Sequence, residues 1–155
     1  RNLQPIFLPV NKYGRQTKSA TAMSQAAYES DEQIITFPAG LCSRKEKGEI
    51  YDLPWQKNFI MKAIEHKRDI VPIYFDAKNS NFFYRFANIR KQLGIKFNVE
   101  LIFLPDEMFK NKGQTFTVTF GKPIPYTTFD ESKDARQWAE FVKEQAYKLK
   151  NKTGR

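Results

Sequence analysis

The chain has 155 residues and a mass of 18.2 kDa, roughly one domain, and its 41% hydrophobic and 15% aromatic content supplies a core that a disordered chain lacks. One cysteine, Cys42, and one histidine, His66, exclude an intramolecular disulfide framework and a zinc site of the usual Cys/His kind, and no stretch holds the roughly 20 uncharged apolar residues of a membrane-spanning helix. The formal net charge of +9 favours anionic partners: phospholipid headgroups, nucleic acid, phosphorylated metabolites or an acidic carrier protein.

Residues 5–10 (PIFLPV) read as a short buried strand. Residues 18–30 read as an alanine-rich helix with Met23, Ala26 and Ala27 on one side. Residues 33–37 (QIITF) are continuous in apolar and β-branched side chains, the pattern of a strand covered on both faces. A Pro/Gly turn and a charged loop run from 38 to 54. Residues 56–67 form a helix burying Phe59, Ile60, Ala63 and Ile64. Residues 70–75 (IVPIYF) form the third strand, in which Pro72 marks an edge position or a bulge.

Residues 79–93 place Phe82, Phe86, Ile89 and Leu93 on one helical stripe, assigned to the core, with Gly94 as the stop. Tyr84 and Lys91 fall on the opposite face, and Phe83 and Arg90 on a flank. That aromatic and basic face suits either an anionic bilayer or plain solvent. Residues 98–104 fit a short helix or a strand. Helix is favoured, because Pro105, Asp106 and Glu107 start a further turn. Residues 115–120 (TFTVTF) alternate as a half-buried strand does. Residues 132–149 form a terminal helix burying Trp138, Phe141, Val142, Ala146 and Leu149, with Asp130, Glu131 and Asp134 as N-terminal charge and caps. The alternation implies an α/β fold, with a mixed, largely parallel sheet flanked by helices. Four strands, the first starting at residue 5, point to the C-terminal part of a larger single α/β domain.

Between residues 77 and 99 lie five basic side chains (Lys78, Arg85, Arg90, Lys91 and Lys96) and no acidic one. The densest candidate for chemistry is 36–57. There a covered strand ends at Phe37, Pro38 and Gly40 force a turn with close backbone approach at the glycine, and Ser43, Arg44, Lys45 and Lys47 follow. Ligands of open α/β sheets bind beyond the carboxyl ends of strands, so this turn is an anion-site candidate. The alternative is an ordinary surface loop. A Cys42 nucleophile with His66 as base lacks an orienting third group by spacing, and His66 reads better as a solvated or capping residue near a helix end.

The segment Phe37-Pro38-Ala39-Gly40-Leu41-Cys42-Ser43-Arg44 resembles the third conserved block of the glycerolipid (lysophospholipid) acyltransferase superfamily, Phe-Pro-Glu-Gly-Thr-Arg-Ser. Ala in place of Glu, followed by Ser-Arg, resembles the haemolysin-like branch, which includes bacterial acyltransferases of amino-acid-containing lipids. Residues 6–12 (IFLPVNK) resemble the second block. Residues 52–62, 70–75 with Asn79, Ser80 and Phe83, and 120–124 resemble later stretches of the same family in order and approximate spacing.

The resemblance implies acyl transfer in lipid metabolism, phospholipid biosynthesis included. An upstream histidine deprotonates an acceptor hydroxyl or amine, an aspartate orients the imidazole, and the nucleophile attacks an acyl-carrier-protein or coenzyme A thioester. It also implies a peripheral enzyme on the anionic cytoplasmic face of the inner membrane, with no cofactor beyond the acyl donor and no nucleic-acid partner. The acceptor site would draw on Lys12, Arg15, Phe37, Pro38, Gly40, Ser43, Arg44 and Lys45. The family's Asn-His-x4-Asp motif is not in this chain, which is therefore expected to be an inactive fragment of the whole enzyme. Ala39 for Glu, and Leu41-Cys42 for Thr-Arg, move the anion-contacting cation to Arg44; Lys12 also lacks the bidentate fork of arginine. A noncatalytic lipid- or carrier-binding scaffold and a basic nucleic-acid-binding module are the competing readings.

Overall fold

The computed structural model describes residues 7–9 and 15–152. Helix α1 (Lys18–Glu29) starts where the Thr17 hydroxyl accepts from the Ala20 amide at 3.2 Å, an N-cap. At its other end the Arg68 guanidinium donates to the carbonyls of Ala27, Tyr28 and Ser30 at 3.3, 3.0 and 3.0 Å, and also to that of Glu32. The guanidinium so serves carbonyls left over at the helix terminus, that of Ala27 being shared with the Ser30 hydroxyl at 2.9 Å. Helix α2 (Asn58–Glu65) is amphipathic and buries Ile60 and Ala63.

The core sits between α2 and the last helix, α5 (Ala135–Lys148), joining Ile60, Ala63, Phe129, Trp138, Ala139 and Val142. Asp134 caps α5 in a reciprocal box with Gln137, as the acidic cluster before this helix predicts.

Two short antiparallel pairs complete the strands of the described residues. Strands β1 (Arg44–Glu46) and β2 (Glu49–Tyr51) form a hairpin whose turn residues, Lys47 and Gly48, have φ of 49° and 89°. Two positive φ angles in a two-residue turn match the twist of the flanking strands. Strand β3 (Ile73–Asp76) pairs with β4 (Thr117–Phe120), Ile73 opposite Phe120. A further bridge joins Ile70 to Ile124. One extra residue therefore lies on the β4 side, a bulge where Pro72, with no amide hydrogen, accepts from Gly121 at 2.8 Å.

Helix α3 (Asn81–Gln92) is capped by Ser80, whose hydroxyl accepts from the Phe83 amide. A 3-10 helix, Val99–Phe103, runs into α4 (Leu104–Lys110), so the helical reading of 98–104 holds.

Four expectations need correction. Residues 33–37 form no strand, and Ile35 and Phe37 are 72% and 84% exposed. A strand exists only where a neighbour takes its hydrogen bonds, and none among the described residues does. Both pairings observed are antiparallel, where a largely parallel sheet was expected; the two-residue turn between β1 and β2 permits nothing else for that pair. The apolar alternation of 115–120 faces outward, with Val118 and Phe120 exposed beside Ile73 and Phe75, while Tyr74 packs edge-on against Tyr147 of α5. In α3 the buried face is Phe83, Tyr84 and Ala87; Phe82, Ile89 and Leu93 of the expected core stripe are exposed. Polar anchoring of Tyr84, described below, sets that rotation. Of the expected strand at 5–10, only 7–9 are described, and they are unpaired with any strand; the remainder lies outside the described residues.

Candidate functional site

The loop that follows residues 33–37 is built from its backbone outward. The Gly40 amide donates to the Phe37 carbonyl at 2.9 Å, closing a four-residue turn with Pro38 at its second position, where a fixed φ near −65° is favourable. The Pro38 carbonyl accepts from the Gln56 amide at 3.0 Å, tying the turn to the entry of α2. Gly40 has φ 67°, and a Cβ built there would meet nothing within 4 Å. The glycine is therefore required by backbone conformation and not, as expected, by close backbone approach.

Three consecutive side chains beyond this turn are each gripped from α3 or the segment after it. The Ser43 hydroxyl lies 3.3 Å from that of Tyr84, which also accepts from the Asn79 amide at 3.2 Å. Lys45 Nζ donates to Asn81 Oδ1 at 2.8 Å, and its carbonyl accepts from Asn88 at 2.9 Å. Between them Arg44 Nη1 donates to the Cys42 carbonyl at 3.0 Å, and Nη2 reaches Asn98 Oδ1 at 3.3 Å and Glu100 Oε1 at 3.1 Å.

Glu100 is fully buried and takes a second cation. Arg90 Nε lies 2.7 Å from Glu100 Oε2, a close charge contact whose angle falls outside hydrogen-bonding geometry. Arg90 Nη2 also donates to Asn98 Oδ1 at 3.2 Å. Two guanidiniums and one carboxylate give the cluster a net charge of one positive unit. Arg44 thus points inward to a fixed counter-charge, whereas the sequence reading placed it toward an acceptor anion.

A second buried carboxylate braces the start of α3. Glu107 accepts from the Ser80 amide and hydroxyl at 2.5 and 2.7 Å, with Lys110 at 3.2 Å. Burial alone would raise its carboxyl, but the two Ser80 bonds and the ammonium outweigh that and hold it below the ordinary glutamate range. Beside β2, Tyr147 accepts from the Asp52 amide at 2.9 Å, and burial, reinforced by the Asp52 carboxylate, pushes its phenol up to about 12.

Of the other residues singled out by sequence, Phe37 is exposed at the mouth of the turn and Arg15 is exposed just ahead of α1. Lys12 lies outside the described residues. His66 is the C-cap of α2; its ring stacks on Tyr28 at 5.3 Å, and Nε2 is 3.5 Å from Glu65 Oε1. It is a packed capping residue with no nucleophile in those contacts. Sequence reasoning missed Tyr84, Asn98 and Glu100 as site supports. A signal existed: Glu100 is the first carboxylate after a purely basic stretch and is flanked by Val99, Leu101 and Ile102. A lone charge in an apolar run asks for a buried partner. Among the described residues, no group of three His, Cys, Asp or Glu is arranged to hold a metal ion, and no helix is long and apolar enough to cross a membrane.

Residues 1–154 match the model of a family described as acyltransferase. A lyso-glycine lipid O-acyltransferase of Bacteroides thetaiotaomicron is 57% identical over 149 residues, covering 96% of this chain and 55% of that protein. A protein of the same description from Phocaeicola vulgatus is 54% identical over 147 residues, covering 95% of this chain and 53% of its own length. The chain spans about half the length of these curated relatives. No solved structure gives a significant match.

Proposed function

The chain belongs to the acyltransferase family whose model spans residues 1–154, and from that premise we propose that the complete protein O-acylates a lyso-lipid carrying a glycine headgroup. The observation that carries this reading is the 57% identity to a lyso-glycine lipid O-acyltransferase across 96% of the chain. In the proposed reaction the acceptor hydroxyl oxygen attacks the carbonyl carbon of an acyl-carrier-protein or coenzyme A thioester. The new ester bond forms, the carbon–sulfur bond breaks, and the departing thiolate receives the proton. The general base is an imidazole contributed by a part of the protein outside this chain.

In this reading residues 38–45 form one wall of the acceptor site. Arg44 is committed to Glu100, so the single excess positive charge of the Arg44–Arg90–Glu100 cluster and the Lys45 ammonium give the wall its attraction for the glycine carboxylate. Lys12 and Arg15 are proposed as further acceptor cations. The exposed Phe82, Ile89 and Leu93, with Arg85 and Lys91 beside them, support seating on an anionic cytoplasmic membrane face. The same basic surface supports docking of an acidic carrier protein as donor.

The test is complementation. A bacterium deprived of its own lyso-glycine lipid O-acyltransferase, given the complete protein, should regain the diacylated glycine lipid in its extract. Persistent accumulation of the lyso form, with the protein expressed and folded, would overturn the reading.

A further inference from the structure

We infer that Glu100 is the positioning residue of the 38–45 wall, holding it in place through Arg44. The inference rests on the reading above only in giving that wall a role at the acceptor. The hairpin that carries Arg44 has strands of three residues each, and a lone two-stranded hairpin is marginal in water. The turn before it is tied down by the Phe37–Gly40 and Pro38–Gln56 backbone bonds. Its remaining described anchors are side chains, and the most deeply buried of them is Glu100.

A carboxylate at zero exposure is costly unless paired and hydrogen-bonded. Here two cations pair with it from two directions, Arg44 from β1 at 3.1 Å and Arg90 from the last turn of α3 at 2.7 Å, and Arg90 Nη2 donates a hydrogen bond to Oε1 at 3.4 Å. Asn98, two residues before Glu100, accepts from both guanidiniums at 3.3 and 3.2 Å. Arg44 cannot swing toward a ligand without leaving Glu100 short of one counter-ion. Nη1 of the same guanidinium holds the Cys42 carbonyl at 3.0 Å. One restraint on the chain direction between Gly40 and Ser43 therefore runs from Glu100 through this arginine, beside the contact of Ser43 with Tyr84.

Cys42, the single cysteine of this chain and half-buried, reports on that fixation. In the complete protein, thiol modification of the Cys42 peptide would be followed by mass spectrometry in Glu100→Gln. A core variant, Val142→Ala, chosen in α5 and matched for thermal stability, serves as the control. Replacing a charge-assisted pair by a neutral amide should raise the modification rate about tenfold, with no such rise in Val142→Ala. Asn98→Ala keeps every charge and serves if Glu100→Gln does not fold; it should raise the rate in the same direction. An unchanged rate, or an equal rise in Val142→Ala, overturns the inference. Acylation kinetics separate it from the functional reading. A higher KM for the lyso-lipid, with kcat less affected, joins the two. A loosened Cys42 with unaltered kinetics leaves Glu100 as the anchor and removes the wall from the acceptor site.

Discussion

Arg44→Met in the complete protein separates a ligand-binding arginine from a structural one. The substitution keeps most of the side-chain volume and deletes three contacts, to the Cys42 carbonyl, Asn98 and Glu100. An abandoned buried charge costs about 3–5 kcal/mol, an upper bound here because Arg90 stays 2.7 Å from Glu100. A charge-assisted hydrogen bond is worth about 1.5–3 kcal/mol, so the expected loss is about 2–3 kcal/mol, read by chemical denaturation. Arg90→Met should cost a similar amount. The double variant should cost more than the sum of the two, since it strands Glu100 without a cation. Acceptor KM should rise as well, because the wall loses its anchor. A stability within about 0.5 kcal/mol of the parent, combined with a large KM increase, would refute the reasoning: the guanidinium would then be spending its charge on substrate and not on Glu100.

Tyr84→Phe should cost about 1–3 kcal/mol by removing the hydroxyl that the Asn79 amide and Ser43 share, measured by the same denaturation assay. Glu107 has a folded-state carboxyl below its ordinary value of 4.5, so its stabilisation is complete above that pH and is lost as pH falls through the depressed value. Glu107→Gln should therefore destabilise the protein at pH 7 and flatten the acid limb of its pH–stability curve. Gly40→Ala, forced to φ 67°, should lose about 1–2 kcal/mol without any clash, and a neutral result in thermal melts would contradict the turn geometry. Leu93→Glu, at an exposed apolar site, should weaken sedimentation with anionic phospholipid vesicles and leave thermal stability unchanged.

Much of the fold can be read from sequence wherever a segment's own chemistry decides its state. Asp134 caps the helix it precedes, as its acidic cluster announces, and Pro72 marks a bulge because its missing amide hydrogen bars it from a regular ladder. Periodicity misleads where no covering element is found among the described residues. Residues 33–37 and the outward face of β3 and β4 carry the pattern of buried strands, yet nothing among the described residues covers them. Helix α3 shows a different failure. Its longest apolar stripe is exposed because the Tyr84 hydroxyl and the Ser80–Glu107 cap determine which side turns inward. At the candidate site, the sequence marks the turn and its basic residues, but Glu100, 56 positions after Arg44 in the chain, becomes visible as its counter-ion only in three dimensions.

The most direct measurement is an in vitro acyl transfer with the purified complete protein, an acyl-carrier-protein or coenzyme A thioester and a lyso-glycine lipid, followed by mass spectrometry. The account predicts an O-acylated glycine lipid formed in step with released thiol. Thioester that stays intact, or that is hydrolysed with no acylated lipid, would contradict it.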